Sequence, residues 1–228
     1  PAMLATSPDG VTWTRQTWTS SIANESLVAV GSGGGKITVA GNGGTLAYST
    51  DGGVTWTAEV QSHVAEFYAL TGNSTTRVAA GRDSGSVGVI LVDTGSGWVK
   101  VNGLTGLVPK DVTWTGSQFV AVGSSQAGLG NAVSATSADG VTWAVHALST
   151  AEAPASHPLA KVLEVGGTLY ATGDNFSNKQ IIVKSTDGGA SWSIAHQDTL
   201  SGNASLMGIA ASPSRVVTVG GVRSVTLP

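Results

Sequence analysis

The segment Ser49-Thr50-Asp51-Gly52-Gly53-Val54-Thr55-Trp56 carries the pattern that decides how this chain folds. Residues 7–13, 137–143 and 185–192 repeat its order of serine, aspartate, glycine and tryptophan. A degenerate copy spans residues 92–98. A single copy would be weak evidence, whereas five copies along one chain of 228 residues indicate an internal repeat.

The residue types of the repeat predict a tight turn between two strands. A short carboxylate such as that of Asp51 can accept hydrogen bonds from backbone N–H groups two or three residues further on. The glycine that follows supplies the positive φ that hairpin turns need. The Val-Thr-Trp segment has strand propensity, and its tryptophan can pack over the turn. The degenerate copy lacks the full pattern, so we expect Asp93 to contribute less to stability than Asp51 or Asp187.

The spacing of the repeat predicts its architecture. The five tryptophans are Trp13, Trp56, Trp98, Trp143 and Trp192, so the intervals between them are 43, 42, 45 and 49 residues. Periods of about 40–50 residues with four short strands each are typical of propeller blades. Each period also contains a predicted second strand that ends in small residues and a glycine. These glycines are Gly41, Gly81, Gly123, Gly173 and Gly220.

We therefore predict an all-β fold, a five-bladed β-propeller closed by N- and C-terminal strands that share one blade. Four blades cover approximately residues 22–60, 61–103, 104–148 and 149–199, and residues 200–228 are completed by residues 1–21. All 228 residues then form a single β-propeller domain. Closure would remove exposed sheet edges, which promote aggregation. A β-sandwich and an open solenoid of five repeats are the alternatives.

The repeat resembles the Asp-box, or BNR repeat, of sialidases and other β-propellers. The segment Gly43-Gly44-Thr45-Leu46-Ala47-Tyr48-Ser49-Thr50-Asp51-Gly52-Gly53 is also similar to repeats of Ycf48-type photosystem II assembly factors. The resemblance implies that the turns lie on one face of a propeller and that ligands bind on the opposite face. It gives a structural role to the turn residues Asp9, Trp13, Asp51, Trp56, Asp139, Trp143, Asp187 and Trp192.

Loops on the face opposite the turns are the predicted ligand site. Their polar and aromatic side chains can form hydrogen bonds and stacking contacts with a sugar or a peptide. The candidate ligand-binding residues are Trp18, Asn42, His63, Arg82, Asp83, Asp174, Asn175, Phe176 and Arg223.

The resemblance to sialidases does not extend to their catalytic residues. Sialidase chemistry, as the resemblance implies, needs three arginines around a carboxylate, a tyrosine nucleophile paired with a glutamate, and an acidic group. Of the five arginines, only Arg82 and Arg223 are predicted on the ligand face. The tyrosines are predicted within strands, and sialidases have six blades. We expect no enzymatic activity of this kind.

A glycoside hydrolase of another family would need two carboxylates about 5 to 9.5 Å apart in a cleft. Asp83 and Asp174 are the best pair on the predicted ligand face, with Glu66 and Glu164 near first strands. Nothing in their spacing distinguishes this pair from ordinary loop carboxylates.

Composition excludes several classes of partner and cofactor. A net charge of −3 argues against nucleic acid, which rewards a basic surface. The chain has no cysteine, its four histidines are widely separated, and we predict neither a metal nor another cofactor. No run approaches the about 18 apolar residues of a membrane span. Charged residues make up 11% of the chain, against about a quarter in an average domain.

These observations favour a non-catalytic module that recognises a glycan or a protein at an extracellular or virion surface, such as a phage tail, either alone or within a larger assembly. One alternative is a structural or assembly factor that holds a partner protein, as Ycf48-type propellers do. The other alternative is a glycoside hydrolase.

Overall fold

The chain folds entirely into β-structure in the residues that the computed structural model describes, which are 3–16, 26–125, 130–154, 157–173, 179–199, 204–212 and 214–222. These residues form twenty strands. They contain no helix, and so none that is long and apolar enough to cross a membrane. In chain order the strands are β1 (Leu4–Thr6), β2 (Thr14–Gln16), β3 (Leu27–Gly33), β4 (Lys36–Gly41), β5 (Leu46–Ser49), β6 (Thr57–Ala58), β7 (Glu66–Gly72), β8 (Arg77–Arg82), β9 (Gly88–Asp93), β10 (Val99–Lys100), β11 (Val108–Trp114), β12 (Phe119–Ser124), β13 (Ala132–Ser137), β14 (Ala144–Ala147), β15 (Leu159–Val165), β16 (Thr168–Gly173), β17 (Lys179–Ser185), β18 (Ser193–Thr199), β19 (Ala204–Ser212) and β20 (Arg215–Val222).

The strands are arranged in four antiparallel four-stranded sheets, each a meander of consecutive strands. The first sheet is β3–β6, the second β7–β10, the third β11–β14 and the fourth β15–β18. Two further pairs, the N-terminal hairpin β1–β2 and the C-terminal hairpin β19–β20, form separate two-stranded sheets in the described part of the chain. The first strands of successive sheets contact one another in the order β3, β7, β11, β15 and β19. The sheets are therefore neighbours in chain order, and their first strands form one row along which the sheets are arranged.

The hydrophobic core lies between neighbouring sheets. Val78 and Ile90 of the second sheet pack in one cluster with Phe119 of the third sheet. Every residue of β12 is buried, because neighbouring sheets cover both of its faces. This two-sided burial explains why the second strands are continuous apolar or small-residue runs without polar alternation.

Each of the five described first strands contains a β-bulge at the same place, next to the glycine near the end of the second strand. The extra residues are Val28, Tyr68, Lys110, Ala160 and Met207. A Cβ at Gly41 would overlap the carbonyl oxygen of Ser26, and a Cβ at Gly123 would overlap that of Val108. At four of the five glycines the first strand approaches so closely beside the bulge that the second strand needs a glycine there, whereas a Cβ at Gly173 would instead meet Ile181 of β17. This contact is the physical basis of the second-strand signature.

The predicted second strands are confirmed, whereas the Val-Thr-Trp segments are not strands. Val54 and Thr55 lie in the turn and are exposed, and Trp56 immediately precedes β6. The backbone N–H groups of Val54 and Thr55 donate to the carboxylate of Asp51, so they do not take part in a sheet ladder.

The two terminal hairpins occupy the places of half blades at the ends of the row. Leu4 of the N-terminal hairpin packs against Val39 and Ala47 of the first sheet. The C-terminal hairpin contacts β15, β16 and β17 of the fourth sheet. Because the hairpins remain separate sheets, the shared blade, the blade count and ring closure stay predictions.

Candidate functional site

The turn at residues 49–56 is fixed by a serine and an aspartate together. The hydroxyl of Ser49 donates to Asp51 Oδ1 (2.7 Å) and accepts from the N–H of Gly53 (2.8 Å). The Asp51 carboxylate accepts from the N–H of Thr55 (2.9 Å), and the indole of Trp56 donates to the carbonyl oxygen of Gly53 (2.9 Å). The carboxylate therefore serves to hold the turn.

The same pattern recurs at residues 7–13, 137–143 and 185–192. In each, the serine hydroxyl contacts the aspartate and the tryptophan indole bonds to a glycine carbonyl oxygen. Backbone hydrogen bonds from Thr12 and Val11 lower the pKa of Asp9 to about 2. These carboxylates are anions at neutral pH and are occupied by donors of their own turns.

The degenerate copy places its aspartate where the other turns have serine, which corrects the sequence interpretation. Asp93 ends β9 and pairs with Arg77 of β8. Its Oδ1 accepts from the N–H groups of Gly95 (2.8 Å) and Gly97 (2.9 Å). The equivalent cross-strand pairs in the other sheets are Ile37 with Ser49, Phe119 with Ser137, and Leu169 with Ser185. The second sheet has therefore exchanged an apolar–serine pair for an ion pair, and these contacts lead us to the opposite prediction, that Asp93 contributes more to stability than Asp51.

The guanidinium of Arg77 joins the first and second sheets at this ion pair. Arg77 is 2% exposed, and its Nε donates to Asp93 Oδ2 (3.0 Å). One terminal nitrogen also bonds to Asp93, and the other donates to Thr38 Oγ1 (2.9 Å) and Glu59 Oε2 (3.2 Å). Burial by itself raises the pKa of Asp93. The hydrogen bonds from Arg77 and from the turn together outweigh this effect, so the pKa of Asp93 lies below its ordinary value. The cluster of Arg77, Asp93, Thr38 and Glu59 therefore has a structural role, because it joins the two sheets on the face that carries the turns.

Four of the predicted ligand-binding residues lie in the described part of the chain, on the face opposite the turns. Asn42 follows β4 and forms an isolated bridge with Glu66. Arg82 ends β8, and Asp83 caps the next loop by accepting the N–H of Val87 (2.9 Å). His63 is exposed in the turn before β7. The structure brings Asn42 and Arg82 together around Glu66 and gives Asp83 a role in its own loop.

The other predicted ligand-binding residues lie outside the described residues. They are Trp18, Asp174, Asn175, Phe176 and Arg223.

A polar network lies along the first strands, beside Arg82. The hydroxyl of Tyr68 donates to Glu66 Oε2 (2.9 Å), and Arg82 Nε donates to the same oxygen (3.0 Å). Lys110 Nζ lies 4.4 Å from the centroid of the Tyr68 ring. Tyr68 and Lys110 are both bulge residues of adjacent first strands, so the bulges direct them to a shared surface.

The network continues to the third and fourth sheets. Lys161 Nζ lies 3.8 Å from Asp111 Oδ1, and the N–H of Val162 donates to Asp111 Oδ2 (3.0 Å). A cavity of about 220 Å³ opens between the first strands and is lined in part by Tyr68, Asp111 and Lys161. We call this set the inner-strand site. Its members are Glu66, Tyr68, Arg82, Lys110, Asp111 and Lys161.

The protonation states at this site follow from its contacts. Burial and the bond to Glu66 raise the pKa of Tyr68 to about 12, so its phenol remains protonated. The hydrogen bond from Arg82 lowers the pKa of Glu66, with a smaller effect from Tyr68. Burial raises the pKa of Asp111, and the charge of Lys161 partly offsets this. Fixed charges of both signs therefore stand beside an aromatic ring.

Sequence reasoning did not place Tyr68, Lys110, Asp111 and Lys161 in a site. The available signal was a charged or aromatic residue near the start of an otherwise apolar first strand. That signal becomes interpretable only with the bulge, because a regular strand would direct these side chains by simple alternation.

Metal binding finds no support in the part of the chain that the structure describes. No group of three or more potential ligands converges there.

Comparisons with known proteins agree on the fold. A family model described as the DUF6242 beta propeller domain matches residues 2–206. The chain is similar to the structure of Ycf48 bound to a D1 peptide, at 18% identity and a TM-score of 0.61, covering 93% of this chain and 66% of that one. It is also similar to Ycf48 from Cyanidioschyzon merolae, at 15% identity and a TM-score of 0.64, covering 97% and 75% of the two chains.

The WD40 repeats of RRP9 align at 13% identity and a TM-score of 0.64, covering 97% of this chain and 72% of that one. The chain spans 66%, just under two thirds, of the Ycf48 chain in the structure with the D1 peptide. No curated protein sequence matches it. At these identities the likeness establishes a β-propeller fold.

Proposed function

Because the chain belongs to the DUF6242 beta propeller domain family, we propose that it is a non-catalytic protein-interaction module that binds an extended peptide segment at the inner-strand site. The observation that carries this proposal is the convergence of Tyr68 and Lys110 from adjacent bulges beside the Glu66–Arg82 pair. The solved Ycf48 structure that carries a D1 peptide supports it by analogy of fold.

The chemistry of the inner-strand site suits a peptide main chain. Glu66 and Asp111 can accept hydrogen bonds from peptide N–H groups, while Arg82 and Lys161 can donate to carbonyl oxygens. Tyr68 adds an apolar ring that retains its hydroxyl at neutral pH. A surface with donors, acceptors and an aromatic ring in fixed positions can orient an extended peptide. The peptide then does not need a particular net charge in order to bind.

The peptide proposal predicts that replacing Lys110, but not Lys100, weakens the binding of a peptide. A dodecapeptide selected from a phage-displayed library should bind the Lys110→Ala variant about tenfold more weakly than wild type, since a charge-assisted contact is about 1.5 to 3 kcal/mol. Lys100→Ala is the matched control, because Lys100 lies in the exposed outer strand β10. Isothermal titration calorimetry measures both. Equal affinities of the three proteins for every selected peptide would contradict the proposal.

Catalysis is disfavoured by the same geometry. Tyr68 and Glu66 form the tyrosine–glutamate contact that a sialidase-like nucleophile would use. However, the pKa of Tyr68 is raised to about 12 and that of Glu66 is lowered, so proton transfer from the phenol to the carboxylate is unfavourable. We expect no hydrolysis of a fluorogenic sialoside that is present in wild type and lost in the Tyr68→Phe variant. Such turnover would refute the non-catalytic assignment.

A second candidate function is glycan recognition at an extracellular or virion surface. Its support is compositional, since the chain has no cysteine and only 11% charged residues. A glycan array would distinguish the two candidates. Saturable binding of one glycan class that Lys110→Ala leaves unchanged would favour a glycan site elsewhere on the ligand face.

We further propose that the four complete turns are Asp-boxes. The support is the hydrogen-bond pattern that these turns share, in which a serine hydroxyl and an aspartate carboxylate hold the same backbone groups. Under this proposal their aspartates have structural roles.

We also propose that the two terminal hairpins pair into a fifth blade. Turn glycines of the third and fourth sheets each pack on a cross-strand pair of the preceding sheet. Gly140 covers the pair Val78–Val92, and Gly189 covers the pair Val120–Thr136. In the first sheet Gly53 packs on Thr6 of the N-terminal hairpin. A strand beside Thr6 would complete the arrangement.

A further inference from the structure

A second cavity lies close to Arg82, at the junction between the second and third sheets. It has a volume of about 480 Å³, within the range of about 300 to 1,000 Å³ of small-ligand sites. The loops at residues 85–88 and 104–108 form most of its wall. Val87 is exposed there, whereas Leu107 is buried and Leu104 packs on the core cluster of the two sheets. We call it the seam pocket.

The rim of the seam pocket is held in a defined geometry. Ser86 has a φ of 64°, the one positive value among the non-glycine residues that the structure describes. Its hydroxyl accepts a hydrogen bond from Arg82 Nη1 (3.2 Å), and Asp83 Oδ1 accepts one from the N–H of Val87 (2.9 Å). A left-handed non-glycine residue is strained, and such strain persists where surrounding contacts enforce it. The loop is therefore pre-organised beside the guanidinium.

The guanidinium of Arg82 retains N–H donors for an incoming acceptor. Its Nε is bonded to Glu66 and its Nη1 to Ser86, and the guanidinium also interacts with the hydroxyl of Tyr68. These contacts use three of its five N–H donors. About a third of the Arg82 side chain is exposed. Glu66 is already paired with Arg82, and Asp83 follows it in the chain, so the remaining donors favour a neutral carbonyl oxygen over a further anion.

We propose that the seam pocket takes a leucine- or phenylalanine-sized apolar side chain of the partner peptide, and that the carbonyl oxygen of the same residue accepts a hydrogen bond from a remaining N–H donor of Arg82. This proposal rests on peptide binding as the function of the face and adds the chemistry of one residue of the partner. Val87, Leu104 and Leu107 supply the apolar part of the wall, and Arg82, which contacts the rim residue Ser86, supplies a polar donor beside it. These are the two elements that fix a side chain and its backbone.

The test uses N-acetyl-L-phenylalaninamide, which carries one ring and neutral amide carbonyls. Titrated into the ¹⁵N-labelled protein, it should shift the amide signals of Gly85, Gly88 and Gly106. N-acetylglycinamide, which lacks the ring, should leave them unchanged, and the free acid N-acetyl-L-phenylalanine should bind more weakly because of the adjacent carboxylates.

Two exposed valines give a matched pair of variants. Val87→Asp should weaken binding of N-acetyl-L-phenylalaninamide about tenfold, because it places a charge against the ring. Val99→Asp introduces the same change on the outer strand β10 and should have no effect. Arg82→Gln should weaken binding without abolishing it. Equal effects of the two valine variants, or equal shifts by N-acetylglycinamide, would overturn the proposal.

The outcomes separate this inference from the proposed function. If the amide probe does not shift the two loops but dodecapeptides still require Lys110, the seam pocket is not a side-chain site and the peptide function stands. If the probe binds as expected but no dodecapeptide distinguishes Lys110→Ala from Lys100→Ala, the pocket stands and the inner-strand site is wrong.

Discussion

Replacing Asp93 by serine is expected to lower the free energy of unfolding by about 3 kcal/mol, the low end of the loss that follows removal of one partner from a buried ion pair. The serine can still accept the N–H groups of Gly95 and Gly97, as Ser49 does in its own turn. It cannot neutralise Arg77, which is 2% exposed and then keeps only Thr38 and the more exposed Glu59 as acceptors. Urea denaturation followed by tryptophan fluorescence measures the change.

A double-mutant cycle identifies the ion pair as the cause. Arg77→Leu combined with Asp93→Ser restores the apolar–serine pair found in the other three complete sheets. The double variant should be within about 1 kcal/mol of wild type, because apolar replacement of a buried ion pair is often neutral. Glu59 loses Arg77 but keeps the indole donor of Trp98. Additive losses in the two single variants and the double variant would show that the pair is not coupled.

The acid dependence of stability gives an independent check on Asp93. Its folded-state pKa is lowered, so its contribution is present above the pKa of the unfolded chain, about 3.9, and is lost as the pH falls through the folded value. Below about pH 4, wild type should lose more stability than the Asp93→Ser variant does. Asp51→Ala is the comparison in a complete turn, and at neutral pH it should cost less than Asp93→Ser because Asp51 is exposed.

The second large effect is expected at the two terminal hairpins, where a defined register is predicted for the shared blade. In the first and fourth sheets, the second residue of the second strand faces the turn serine, as Leu169 faces Ser185. Applied to β20, this rule places Val216 opposite Ser7. Thr6 then faces Val217, and Ala5 faces Thr218.

Exposure of apolar side chains supports this pairing. Val217 is 55% exposed, although its equivalents Val78 and Val120 in the complete sheets are fully buried. Trp13 is 64% exposed, whereas Trp192, the equivalent residue of the fourth sheet, is 5% exposed. The apolar surfaces at the two ends of the row are those that packing covers elsewhere in the molecule.

Engineered disulfides test the register directly, since the chain contains no other cysteine. The pairs Ala5→Cys with Thr218→Cys and Thr6→Cys with Val217→Cys should each cross-link within one monomer on oxidation. The pair Ala5→Cys with Val216→Cys is displaced by two residues, which exceeds the about 7 Å limit for Cα atoms joined by a disulfide. Non-reducing electrophoresis and intact mass spectrometry identify the products.

Each result of the cross-linking experiment has one interpretation. Monomeric cross-links at the two in-register pairs establish a ring of five blades. Cross-linked dimers would show that the hairpin of one copy pairs with another copy, and absence of cross-links would show that the hairpins do not share a sheet. In the five-bladed ring, deleting residues 1–14 exposes the apolar edge of β20, so size-exclusion chromatography should show dimers or aggregates.

The sequence alone determined the repeat and its local chemistry. Serine, aspartate and glycine at fixed spacing specify a turn through contacts within a few residues, as Asp51 and Gly53 show. The second-strand glycines were also visible in the sequence, although their reason, close approach to a bulged first strand, was not. Local patterns of this kind are predictable because all of the interacting groups lie close together in the chain.

Contacts between sheets could not be read from the sequence, because they depend on how distant parts of the chain pack. Asp93 looked like a weakened turn aspartate until its partner Arg77, sixteen residues away, became visible across the strand pair. Tyr68 and Lys110 belong to different sheets, and they meet because a bulge in each first strand directs them to the same surface. Neither contact is encoded in short-range spacing. Both depend on strand register and on how the sheets pack, because an extra residue in a strand changes the direction of its side chains and packing sets the neighbour that each one finds.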